Sequence, residues 1–153
     1  MEIKKETRPD TDLLQSVLHN SEIGIVAIND ILPEAESAEL IKTLKEQKQK
    51  FVEITKKAKE LSKQYEITLK PNSALKKGKM WLSIKMSTLF NDETRHIAEM
   101  MILGHFMGTI NMIKSLADCK DAKGDILKLA RDLKKVEEDS VNELVPYLEN
   151  TKK

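Results

Sequence analysis

The sequence predicts an all-α protein, and three observations carry that prediction. Five glycines and four prolines in 153 residues are too few for the many tight turns of sandwiches and barrels. Aromatic residues make up only 4% of the chain, so a favoured class of strand-forming side chain is scarce. Apolar residues recur every four and three positions over long stretches, which is the spacing of one face of a helix. The length suits one domain and can bury roughly 68–70% of the unfolded surface without staples.

The elements follow in order. Residues 1–11 read as a flexible N-terminal tail. Asp10 or Asp12 is placed to cap a first helix, which carries Leu14, Leu18, Ser21, Ile25, Ile28 and Leu32 on one face and stops at Pro33. Ser37 opens the second helix, whose stripe is Leu40, Leu44, Gln47, Phe51, Ile54, Ala58, Leu61 and Tyr65. Its lysines and glutamates fall on the other faces and read as a solvated surface. Residues 66–72 read as an extended connection broken by Pro71. A short helix around Trp81 follows, weakened by Gly78. Asn91-Asp92 caps a third helix from Glu93 to about Leu116, residues 118–124 turn, and Asp125 caps a fourth helix to Leu148. Ile126, Ala130, Leu133, Glu137, Ser140, Leu144 and Tyr147 form one face of that last helix.

Short connections at 33–37 and 118–124 make antiparallel neighbours, whereas the long connection 66–92 lets the second and third helices run parallel. The expected architecture is therefore a ferritin-like four-helix bundle with one long crossover carrying a short extra helix. It forms a single domain over residues 12–148, and residues 149–153 are a C-terminal tail.

Charge narrows the function. Twenty-six basic residues stand against twenty-five acidic ones, a formal net charge of +1, without the basic excess that nucleic-acid binding needs. The N-terminal segment has no apolar stretch behind its charges and does not read as a signal peptide. The apolar run at 97–107 contains Glu99 and His105 and is too short for a membrane span. A cytoplasmic protein without nucleic-acid or membrane partners is expected. The single cysteine, Cys119, cannot close a disulfide within the chain. It lies in a polar turn beside Lys120 and Lys123, where partial exposure and a lowered pKa would be expected, although an incidental thiol accounts for it as well.

Polar residues that interrupt the apolar seams are the candidate functional groups. Gln47 sits between Leu44 and Phe51, Glu137 between Leu133 and Leu144, and Glu22 between Leu18 and Ile25. Together they are candidates for a buried polar network that fixes the register of the bundle. Glu93 and His96 lie at i, i+3, the Glu-x-x-His spacing of dimetal carboxylate bundles. Glu22, Glu93, His96 and Glu137 are thus metal-ligand candidates, with iron or manganese as the cofactor implied. The second and fourth helices lack the histidine that such a site needs, which argues against an intact one. His105 stands among Met100, Met101, Met107 and Met112. Thioethers with an imidazole suit copper(I), but methionines at helical spacing also serve as adaptable core filler. Gly24, Gly104 and Gly108 read as sites of close helix approach.

Three segments taken together carry a resemblance. Ser21-Glu22-Ile23-Gly24-Ile25, Gln47-Lys48-Gln49-Lys50-Phe51 and Met80-Trp81-Leu82-Ser83-Ile84-Lys85 resemble a bacterial family of ferritin-like helical domains of unknown function. That family tends to have Gly-Glu-x-Gly-Tyr on its first helix, a Gln four residues before a Phe on its second, and Gly-Trp-x-x-Leu-Lys on its crossover. The similarity covers about residues 12–148. It implies the bundle and singles out Glu22, Gln47 and Trp81. It departs where the family has Gly-Glu on the third helix, here Gly104-His105, and a histidine on the last helix near Glu138.

The expected function is a non-catalytic or metal-degenerate bundle acting through self-association, as a homodimer, or through a protein partner. The apolar residues on nearly all sides of the third helix motivate it. The alternative is a dimetal carboxylate protein with oxidase or metal-handling activity.

Overall fold

The computed structural model describes residues 3–72 and 93–152. Four long helices account for most of them: α1 (Ile3–Ile31), α2 (Ala38–Gln64), α3 (Glu93–Asp118) and α4 (Gly124–Leu148). No strand occurs among the described residues, so the all-α expectation holds. The short helix expected around Trp81 and the cap at Asn91-Asp92 lie outside the described residues.

Three helix boundaries have a local cause. α1 ends in a single 3-10 turn, Leu32–Glu34, because Pro33 cannot continue an α-helical hydrogen-bond ladder. The Ser37 hydroxyl accepts the Leu40 amide at 3.2 Å and starts α2. α2 stops at Tyr65, after which Glu66 takes the left-handed conformation with φ 54°.

Two starts differ from the sequence expectation. α1 begins at Ile3, upstream of Asp10 and Asp12, with Pro9 inside it. Asp10 therefore caps nothing in its own helix. Its carboxylate accepts the Lys123 amide at 2.7 Å and pairs with the Lys123 ammonium at 3.4 Å. It thus serves the start of α4 from across the bundle. Asp125, the expected cap there, lies within the first turn of α4 and accepts a hydrogen bond from the Tyr65 hydroxyl.

Side-chain bonds fix how the helices run. Ser21 meets Thr55 at 2.8 Å, and Ser16 meets Ser115 at 2.7 Å while Asn20 accepts from Asn111 at 3.1 Å. Thr43 meets Tyr147 at 3.0 Å, and Gln47 reaches Glu143 at 2.9 Å. In the last two sets the residue numbers rise on one helix as they fall on the other. α1 is accordingly antiparallel to α3, and α2 to α4. Residues 67–72 then fold back on α1, where Gln15 bonds both the amide and the carbonyl of Lys70 and Asn72 donates to the His19 carbonyl at 3.0 Å.

The core runs the length of the bundle. Leu13, Leu14, Val17, Ile28 and Ile31 of α1 and Leu40, Leu44 and Phe51 of α2 are fully enclosed, as are Ile97 and Met112 of α3 and Ile126, Leu133 and Leu144 of α4. Burial of this apolar surface is the main stabilising term, at about 25 cal/mol per Å². Among the described residues no helix is long and apolar enough to cross a membrane.

Candidate functional site

The middle of the bundle holds the polar residues that the apolar seams should exclude. His105 of α3 and Glu137 of α4 meet there, with Nδ1 2.7 Å from Oε1. Both side chains are about 3–4% exposed, so the pair lies in a low-dielectric interior. Burial pushes the Glu137 carboxyl above its ordinary range, and the hydrogen bond and charge of His105 pull in the opposite direction. Burial is the larger influence. An ionised carboxylate in this setting depends on the His105 hydrogen bond to offset its lost hydration.

Three neighbours shape the pocket around the pair. Phe51 of α2 lies nearly parallel to the His105 ring, with centroids 5.9 Å apart and planes 7° from parallel. Gly24 of α1 admits the Phe51 ring, since a Cβ there would come within 2.9 Å of three ring carbons. Gly108, one turn beyond His105, admits Glu137, since a Cβ there would fall 1.8 Å from Oε2. Two of the three glycines picked out for close approach therefore do that work. Nothing lies within 4 Å of a Cβ built on Gly104.

One turn from this pair, Gln47 of α2 donates to Glu143 Oε1 at 2.9 Å and to the Ser140 carbonyl at 3.4 Å. Lys50 joins Glu143 from the surface at 3.5 Å. The network thus passes from the interior to a solvated ion pair. Gln47 Oε1 and His105 Nε2 are buried with no hydrogen-bond partner among the described residues. Such orphaned groups cost about 1–3 kcal/mol each.

The sequence-predicted residues fall out as follows. Gln47 and Glu137 are buried and belong to this layer, but they bond to Glu143 and His105 rather than to each other. Glu22 is half-buried on the flank of α1, while its neighbour Ser21 takes the inward position and bonds Thr55. Glu93 and His96 are half-buried in the first turn of α3. Glu137 is engaged by His105. Among the described residues, no three of His, Cys, Asp and Glu come together in a group that could hold a metal ion.

Two residues behave differently from expectation. Met107 and His105 lie on opposite sides of α3, one 60% exposed and the other 3%, so they cannot share a copper(I) ion within one chain. Cys119 is 6% exposed, and its thiol is pushed up rather than down. Burial is the main cause, followed by the negative charges of Asp12 and Asp118.

The pairing of His105 with Glu137 is what sequence reasoning missed, since it set His105 only beside the methionines. A signal was present: Ala98, Met101, His105, Gly108 and Met112 recur by three, four, three and four, and all five are buried. The histidine therefore occupies an inward position. Chemically, a carboxylate that orients an imidazole by Nδ1 is the arrangement of a general-base dyad. Here both members are sealed from solvent and packed under Phe51, which suits holding register rather than meeting a substrate. In comparisons with known proteins, no family model, no curated protein and no solved structure matches the chain.

Proposed function

We propose that the chain is a non-catalytic, metal-degenerate helical bundle that acts by self-association, and that the outward face of α3 is where two copies meet. The observation that carries this reading is a row of large apolar side chains. Leu103, Phe106, Met107, Ile110 and Ile113 are each between 48% and 60% exposed. An amphipathic helix needs one apolar stripe toward its own core, and α3 has that stripe in Ile97, Met101, His105, Gly108 and Met112. A second contiguous apolar face on the same helix gains nothing in a monomer, and patches of this kind mark interaction surfaces.

The sealed His105–Glu137 pair fits the same reading, since it orders the side of α3 opposite the exposed row. We read the bundle further as ferritin-like. Support comes from the pairings above. α2 is antiparallel to α4 and α1 to α3, and the short connections make α1 antiparallel to α2 and α3 to α4. This gives α2 and α3 the same direction.

The test is a light-scattering mass of the untagged chain over a concentration series. A mass rising from one chain to two is expected, and Phe106→Asp should hold it at one chain while leaving helical content unchanged. A wild-type mass of one chain at every concentration would overturn the reading.

A further inference from the structure

The α3 face has a palindromic order that specifies how a second copy would sit. Glu99 lies four residues before Leu103, and Lys114 lies four residues after Ile110. Both are exposed, and neither forms an ion pair among the described residues. Positions 99, 103, 106, 107, 110 and 114 advance by four, three, one, three and four and keep to one side of the helix. They are also symmetric about the midpoint between Phe106 and Met107. Opposite charges therefore close the two ends of the apolar row.

Building on the self-association reading, we infer that two copies pair through α3 in antiparallel fashion about a two-fold axis between Phe106 and Met107. In this register Leu103 packs on Ile110 of the second copy, and Glu99 faces Lys114 of the second copy. Two-fold symmetry repeats each contact, so one patch complements itself. The parallel alternative places Glu99 on Glu99 and Lys114 on Lys114, which opposes like charges at both ends. Charge complementarity thus selects both the occupant, a second copy, and its direction.

The size of the face sets the strength. The row from Glu99 to Lys114 covers about 22 Å of helix at 1.5 Å per residue. A single helix pair of that length buries less than the roughly 800 Å² per partner of a standard interface. The dimer is therefore weak and depends on concentration, with a dissociation constant on the order of micromolar.

The test uses the full chain. Sedimentation equilibrium would compare wild type with Glu99→Lys, Lys114→Glu and the double variant. Each single reversal should weaken the dimer about tenfold, because two contacts turn repulsive at once. The double variant should return to within about threefold of wild type. A second measurement uses cysteine pairs under mild oxidation. Leu103→Cys with Ile110→Cys should give a covalent dimer. Each single cysteine variant should not, because its two copies would stand about 10 Å apart along the seam, beyond disulfide reach. Native Cys119 is buried, so wild type serves as the uncrosslinked control.

A dimer that ignores both reversals, or single cysteine variants that crosslink alone, would overturn this register and leave self-association standing. A wild-type chain that stays monomeric would overturn both.

Discussion

At the residue scale, Gly108 and Glu137 depend on each other. The carboxylate occupies the volume that any side chain at position 108 would need. Gly108→Ala should therefore cost about 1–3 kcal/mol as an overpacked core position. Gly104→Ala, on the same helix but with no atom within 4 Å of the new Cβ, should gain up to about 1 kcal/mol from helix propensity. Urea unfolding of both variants checks the contrast, and equal effects would remove Gly108 from the site. The burial of Glu137 makes a second prediction. Glu137 has a folded pKa above its ordinary 4.5. Between those two values the native state binds more protons than the unfolded state, so the residue's contribution to stability falls as the pH rises through that window. Below 4.5 both states are protonated and the effect vanishes. Glu137→Gln should therefore improve relative to wild type as the pH rises from about 4.5 toward neutrality. Unfolding midpoints at several pH values would show it, and a flat difference would mean that burial does not govern this carboxyl.

At the element scale, legibility in the sequence followed amphipathicity. On α2 and α4 the apolar stripe is narrow and charged residues fill the rest, so every residue predicted for the α4 face is buried, as are six of the eight predicted for α2. Gln47 and Glu137 stood out because each interrupts a clean rhythm. On α3 that contrast is lost. Apolar residues surround that helix, so the inward row containing His105 and the outward row containing Phe106 looked alike in sequence. Only the placement of neighbouring helices separates them, and that depends on contacts distant in the chain. Glu22 shows a finer failure. Adjacent helical residues stand about 100° apart; Ser21 occupies the inward direction, and Glu22 is left on the flank. Asp10 shows another, because a cap that comes from a different helix has no local signature.

At the scale of the whole molecule, folding and self-association are linked. Pairing through α3 needs Leu103, Phe106 and Ile110 presented on a rigid helix, and α3 is held by its inner contacts with α1 and α4. The unfolded chain has no such row, so a second copy binds only the native state. Mass action then adds stability that grows with protein concentration. With a dissociation constant on the order of micromolar, the melting temperature should rise over a series from about 1 to 100 μM. A stabilisation of 1 kcal/mol shifts the melting temperature of a domain this size by a few degrees. Phe106→Asp should remove the dependence while leaving the melting temperature at the lowest concentration close to that of wild type, because Phe106 is half exposed and absent from the core. Scanning calorimetry of both chains across the series makes the measurement. A wild-type melting temperature independent of concentration would detach the α3 face from any role in pairing. A dependence that survives Phe106→Asp would place the interface on another face of the bundle.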